Sequence, residues 1–267
     1  MSGQPSVHYL PHSAASGAHQ MAIDGALLEW AASGPSRAVF RTYAWSRPTL
    51  SLGRAEPYPA GWDVEALRAA ELDVVRRPTG GDAVLHDGEL TFAVAASLPG
   101  PWALRPRAFA HLVAEALAEA LRELALPAER IGASAARVAP GRPGERPCFA
   151  RPSAGEVRVG PYKVAGIASR FTRGAALSHA SVPLSPRHRD VASFRTNAPR
   201  DRALLERHAR STSELLGREV VDSLLGARVA AALSARLLAP LRPACFAELG
   251  IAELGIAEPG IAEPVEG

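Results

Sequence analysis

The chain has 267 residues, 47% hydrophobic and 21% charged, with two cysteines. That length suffices for one large domain with an ample core, the composition is ordinary for a globular protein, and two cysteines 97 positions apart (Cys148 and Cys245) exclude a disulfide framework or a thiolate metal site. The net charge of +3 hides 30 basic against 22 acidic residues before the last five glutamates, a basic body that favours an acidic partner, while scattered Arg and few aromatics weigh against nucleic acid.

In chain order, Met1 to Gln20 is polar and lacks the apolar centre of a signal peptide. No run reaches the ~18 apolar residues of a membrane span. A cytoplasmic protein without membrane contact is expected, and its cysteines suit a reducing compartment. Periodicity predicts an amphipathic helix over 18–32, with Met21, Leu27, Leu28 and Trp30 on it. Ala38–Trp45 and Thr49–Leu52 alternate as strands, and Asp63 is placed to cap a helix reaching Ala70. Asp73–Arg77 and Ala83–His86 read as a strand and its return across the turn Pro78–Asp82. Glu89–Leu98 reads as a longer apolar strand and Arg107–Leu126 as a helix rich in Ala and Leu. Ala139–Pro147, with its Pro, Gly and Arg, reads as a mobile loop. Strands follow over 156–159, 162–170 and 175–183, and helices close the body between about Arg202 and Leu238. Hairpins with segregated helices argue an α+β fold, mixed or antiparallel sheets flanked by helices.

The end of the chain repeats a pentamer, Phe246-Ala-Glu-Leu-Gly250 through Ile261-Ala-Glu-Pro-Val265. Period five with Gly and Pro suits neither a helix face nor a strand. Residues 1–242 are therefore expected to form one domain and 243–267 a disordered acidic tail, dispensable for activity.

Of the 30 basic residues, Lys163 alone is a lysine. An ammonium is a compact charge that fits a narrow cavity, whereas a guanidinium is a broad fork. A lysine in so Arg-biased a chain marks a position where Arg would fail, or else a stray surface residue. Three segments could carry chemistry. In Arg76-Arg-Pro-Thr-Gly-Gly-Asp82 two adjacent glycines let a ligand lie against the backbone; neither a P-loop nor a Rossmann fingerprint is present, and a plain hairpin turn is the simpler reading of the spacing. Cys148 lies after a cationic loop, a setting that lowers a thiol pKa, although a lone Cys is usually a small buried hydrophobe. On a strand over 162–170, Lys163, Ala165 and Ile167 share one face. His86 and His179 stand near strand ends, where an ordinary structural role is the common one.

Together these segments resemble the octanoyl/lipoyl transferase branch of the biotin/lipoate protein ligase superfamily over nearly all of residues 18 to 185. Met21-Ala-Ile-Asp24 and Trp45-Ser-Arg-Pro-Thr-Leu-Ser-Leu-Gly53 are similar to its opening helix and first hairpin. Arg76-Arg-Pro-Thr-Gly-Gly-Asp-Ala-Val-Leu-His-Asp-Gly-Glu-Leu-Thr91 is similar to its acyl-binding loop, and Cys148-Phe149, Gly155-Glu156 and Lys163-Val-Ala-Gly166 fit the cysteine-dependent octanoyltransferases best. Asp82 departs from the family's Gly or Arg. Gly166-Ile-Ala-Ser169 departs from Gly-Ser-Ala-Gln or Gly-Ile-Ser-Gln, and Ser178-His-Ala-Ser181 from Gln-His-Gly-Ser.

The resemblance implies the ligase catalytic-domain fold over residues 1–242 and octanoyl transfer without ATP, metal or other cofactor. Cys148 would carry the acyl group, and Lys163 would stabilise the oxyanion beside the acyl carbonyl. Arg76, Arg77, Thr79, Gly80, Gly81, Ala83, Val84, His86, Gly166 and His179 would line the substrate site. The donor would be octanoyl-acyl carrier protein and the acceptor a lysine of a lipoyl domain or glycine-cleavage H protein, with the enzyme acting as a monomer. Three other readings share the fold: an ATP-dependent lipoate–protein ligase, an octanoyl amidotransferase between carrier domains, and a non-catalytic acyl- or carrier-binding member. Replacing Lys163 would cost activity but not folding.

Overall fold

Two sheets of unequal size carry the fold in a computed structural model that describes residues 5–133 and 144–251. In chain order the elements are β1 (Val7–Ala15), α1 (Gly17–Ala32), β2 (Ala38–Trp45), β3 (Thr49–Leu52), α2 (Val64–Ala69), β4 (Asp73–Arg76), β5 (Val84–His86), β6 (Glu89–Ser97), α3 (Pro106–Arg122) and β7 (Ala128–Arg130). They continue with β8 (Val157–Val159), β9 (Tyr162–Phe171), β10 (Ala175–Pro183), α4 (Ala198–His208), α5 (Thr212–Leu216), α6 (Asp222–Leu237) and β11 (Leu241–Pro243). The large sheet runs β11-β1-β2-β6-β10-β9-β8-β7 and the small one β4-β3-β5. β1 is parallel to both β11 and β2, and β3 is parallel to β4; the other pairs are antiparallel. The architecture is the α+β arrangement expected.

Alternation along the central strands sets the layers. Leu90, Phe92, Val94 and Ala96 of β6 join Phe40 of β2 and Ala176 of β10 in a core with α3 and α6. The intervening Ala93 and Ala95 face the other way, with Val39, Tyr43 and Leu177, against Met21, Leu27 and Leu28 of α1. The small sheet has its own core, where Leu50, Leu52, Leu85 and Trp62 meet Phe149 and Leu205. Ser16 caps α1 by accepting from His19 N, and Asp63 caps α2 by accepting from Ala66 N.

Four expectations change. β2 and β3 are not a hairpin, since they enter different sheets. Nor do β4 and β5 pair across the Pro78–Asp82 turn, because β3 lies between them and bonds to both. β1, β7 and β11 are additional strands at or near the sheet edges, where short length and Pro11 or Pro243 blur the pattern. Finally, the tail docks at its start: Leu249 and Ile251 are buried with Phe246 against the α1-side core, and Ala244 N donates to Tyr9 O. The rest of the tail, and residues 139–143 of the expected mobile loop, lie outside the described residues.

Candidate active site

The α1-facing side of the large sheet meets the small sheet across a narrow, largely apolar cavity of about 50 Å³. Met21, Tyr43, Trp45, Ile167 and Ala168 supply apolar wall; Ser51, Val84 and His86 contribute the small-sheet side, with Arg77 and Gly81 from the connecting loop. The loop is held open by an arginine rather than by turn geometry alone. Arg77, 4% exposed, donates to Ser51 O, Gly80 O and Asp82 O. Gly81 has φ +92°, and its carbonyl approaches Gly53 so closely that a Cβ there would stand 1.8 Å from it.

Cys148 opens a 3-10 turn, Cys148–Ala150, whose first N–H donates to Ala83 O at 3.1 Å. Phe149 behind it is buried among the small-sheet residues. The half-buried thiol faces the cavity beside Gly166, where even a Cβ would come within 3.3 Å of Sγ. Lys163, 1% exposed, reaches the same point: Nζ donates to Glu156 Oε1 at 2.6 Å and Cys148 O at 2.7 Å, and lies 3.4 Å from Sγ. A bulge makes this possible. Val157 pairs with Ala165 and Arg158 with Lys163, so β9 has one extra residue, Val164. Lys163 therefore points with Gly166 toward the thiol, not with Ala165, which is buried in the α3-side core.

The electrostatics correct another expectation. Burial pushes the Cys148 thiol above its ordinary pKa; Lys163 pulls it down, but Glu156 opposes that pull. Burial likewise raises Glu156 against the pull of Lys163. For Lys163 burial alone would lower the pKa, but Cys148 and Glu156 outweigh it and hold the ammonium above its usual range. The resting cluster is thus a thiol beside an ion pair.

The two candidate histidines are committed within the cavity wall. His179 Nδ1 donates to Asp24 Oδ2 at 3.2 Å, and its Nε2 accepts from Thr79 Oγ1 at 2.6 Å. Burial holds this imidazole neutral despite Asp24. His86 bonds Glu89 Oε1 at 2.5 Å and Ser51 Oγ at 2.7 Å, and stacks on Trp45. Of the other residues read from sequence, Arg77, Gly81, Val84 and Gly166 line the cavity, while Thr79 and Ala83 are buried behind it. Arg76 instead points outward and binds the carbonyls of Gly53 and Glu56. Gly80 contributes its carbonyl to Arg77 rather than a cavity surface. Asp82 also turns away from the cavity, accepting from Gly144 N at 3.2 Å and Arg151 Nη2 at 3.4 Å. It ties the cysteine loop to the glycine loop.

Sequence reasoning passed over Glu156, Asp24 and Arg41 as site residues. Arg41 in apolar β2 and Asp24 in apolar α1 form a buried pair at 2.5 Å; each stood as a lone charge in an apolar run, a pattern that calls for a partner. Among the described residues no cluster of three metal-ligating side chains occurs, and no helix is long and apolar enough to cross a membrane.

The lipoyl protein ligase A/B catalytic domain matches residues 16–233. The chain belongs to that family. Within the lipoyl protein ligase A/B family it is 37% identical over 212 residues to octanoyltransferase LipM of Moorella thermoacetica, covering 75% of each chain. It is 36% identical over 234 residues to the LipM of Kyrpidia tusciae, covering 83% of this chain and 85% of that one. Among solved structures, lipoate-protein ligase A bound with ATP superposes with a TM-score of 0.71 at 20% identity, covering 90% of this chain and 89% of the other. A bipartite lipoate protein ligase from Thermoplasma acidophilum gives 0.72 at 18%, covering 90% and 87%. At such identities these two speak for the fold.

Proposed function

We infer that this chain is an octanoyltransferase of protein lipoylation and that it works through a thioester on Cys148. The observation that carries the covalent route is the position of Sγ, exposed to the apolar cavity with the one ammonium in the chain 3.4 Å away. An octanoyl chain would lie along Met21, Tyr43, Val84 and Ile167 with its carbonyl at the cysteine end. Two of the three Lys163 donors go to Glu156 and Cys148 O, and the third lies between Cys148 Sγ at 3.4 Å and Arg151 O at 3.5 Å, within reach of the reacting atoms. There it stabilises the charge that develops as sulfur adds to the carbonyl. A covalent intermediate divides the transfer into two thioester-level steps, so no adenylate is required.

The donor is octanoyl-acyl carrier protein and the acceptor a lysine on a lipoyl domain or glycine-cleavage H protein; the basic body suits such acidic partners. The enzyme would act as a monomer, and two free cysteines suit the cytoplasm. Incubation with octanoyl-carrier protein, with or without ATP, is expected to add one octanoyl group by intact mass, released by hydroxylamine. Cys148→Ser should abolish the adduct and lower turnover by about 10³-fold or more, while Cys245→Ser, at an exposed site, leaves both unchanged. Wild-type turnover in Cys148→Ser would rule out the covalent route.

A further inference from the structure

Making Cys148 a nucleophile requires a home for the thiol proton, and the usual candidates are occupied. His86 and His179 are the imidazoles on the cavity wall, and each has both ring nitrogens hydrogen-bonded. Asp82 is tied to Gly144 N and Arg151. Arg77 spends its donors on carbonyls of its own loop and β3. Lys163 is already an ammonium and can accept a proton only by passing one on. Its nearest acceptor is Glu156 Oε1 at 2.6 Å, a carboxylate 5% exposed whose other oxygen accepts from Ser153 N at 2.8 Å. Nζ thus stands between the thiol and a buried carboxylate.

Resting on the cysteine thioester reading, we propose that Glu156 takes up the proton Cys148 gives up, relayed through Lys163. As sulfur approaches the donor carbonyl, the S–H bond breaks and its proton joins Nζ, while an Nζ proton moves to Oε1. The products are a thiolate, an ammonium and a neutral carboxylic acid. When the tetrahedral adduct collapses, the donor's sulfur leaves with the proton returned along the same path, and Glu156 is a carboxylate again. One thioester and one thiol are exchanged for another thioester and thiol, so atoms and charge balance.

Burial explains why the relay is needed. A thiolate and a carboxylate sharing one ammonium would leave an uncompensated negative charge in a cavity where desolvation is costly. Moving the proton keeps one negative charge opposite Lys163 at every stage. The raised pKa values of both acids, with desolvation as the first cause of each, fit that exclusion. Arg77 and Asp82 also act on the thiol, in opposite senses, and Asp82 bears on Glu156; Arg151 partners Asp82. None of them lies between sulfur and carboxylate as Lys163 does.

The test follows iodoacetamide alkylation of Cys148 against pH in a Cys245→Ser background, with Glu156 intact or changed to Gln or Asp. In Glu156→Gln the thiol faces an unshared ammonium, so the alkylation midpoint is expected to fall by about one pH unit or more. Octanoyl transfer at saturation should fall about 10²-fold with KM little changed, and Glu156→Asp should keep the wild-type midpoint and recover part of the rate. A Gln variant that folds and keeps the wild-type midpoint overturns the relay, while leaving the mass adduct on Cys148 free to stand or fall separately. A second measurement needs no variant at Glu156. Carboxymethylating Cys148 with ¹³C-iodoacetate fixes a negative charge beside the thiol position, and an unlabelled carboxylic-acid carbonyl band is expected in the infrared difference against the iodoacetamide adduct. Its absence also overturns the proposal.

Discussion

Arg41 and Lys163 are both 1% exposed and both paired with a buried carboxylate, yet they are used differently. The Arg41 fork makes four hydrogen bonds, two to Asp24 Oδ1 and one each to Gln20 Oε1 and Gln20 O, and lies 3.9 Å from the Tyr43 ring centroid. Asp24 in turn receives Tyr43 and His179, and His179 holds Thr79 of the glycine loop. Burial would raise Asp24, but Arg41 and then His179 outweigh it and keep the carboxyl below its usual range. That charge is locked beneath the cavity floor that its partners Tyr43 and His179 help to form. Lys163 has fewer donors and aims one of them at sulfur. The contrast is the one the proposed role of the single lysine calls for: a fork suits a site where every bond is to be satisfied, and a point charge suits one where a bond must be free to change.

Substitution at Lys163 breaks this comparison most severely. Both Lys163→Ala and Lys163→Arg are expected to lose about 10²–10³ in turnover, measured with octanoyl-carrier protein and apo lipoyl domain. The sequence-based expectation that folding would be indifferent does not hold, because Glu156 would be stranded. Lys163→Ala should cost about 3–5 kcal/mol by denaturant unfolding near neutral pH. An Arg variant with near-normal turnover would defeat the argument for a compact charge.

At the other cation the order of effects should reverse. Asp24→Ala leaves Arg41 buried without its carboxylate, costing about 3–5 kcal/mol, while turnover of the folded fraction should fall less than that of Lys163→Ala. Equal losses of turnover would mean that the floor is also part of the chemistry.

Glu56 sharpens the comparison from a third direction, as a buried carboxylate with no cation bonded to it. Oε2 accepts from Gly53 N, and Oε1 has no hydrogen-bond partner. Burial lifts its pKa from 4.5 to about 7. The folded state therefore binds this proton more tightly than the unfolded chain does. Its stabilising contribution is complete below the unfolded value and is lost as pH rises through about 7. On the order of 2 kcal/mol should disappear between pH 4.5 and 8, and Glu56→Gln should flatten that slope in thermal melts. A Gln variant as steep as wild type would assign the slope elsewhere.

Effects on turnover are smallest at the C-terminus. Truncation after Ile251 should leave stability and turnover unchanged. Truncation after Arg242 strips Phe246, Leu249 and Ile251 from the α1-side core and should lower stability by about 2–4 kcal/mol without a specific loss of turnover. Equal melting points for the two truncations would show that the docked turn contributes nothing.

The inner strands were legible because alternation and length agree there: β2, β3 and β10 run over the residues that periodicity picked out. The glycine loop, Cys148 and Lys163, which meet at the cavity, were picked out through motif. The partition into two sheets was not, because β3 pairs forward with β4 and β5 while β2 pairs back with β1, and nothing local records that choice. The departures at Ser169 and Ser178 looked separate in sequence. They face each other across β9 and β10 with hydroxyls 2.6 Å apart, one paired change rather than two losses. Glu156 stayed hidden because its meaning depends on a bulge that backbone hydrogen bonds reveal and side-chain pattern does not.

That bulge makes the polarity of the site a matter of counting. Beyond Val164 the strand is out of phase with its beginning, so residues on either side of the extra position follow opposite parity. Regular pairing of these same residues with β8, without the bulge, would leave Cys148, Lys163 and Glu156 all present in the gene yet carry Lys163 to the opposite face from Gly166. Alignment by residue identity alone would score such a chain as intact. A relative with one fewer position between Lys163 and Gly166 needs no bulge to keep both on one face, and is expected to turn over all the same.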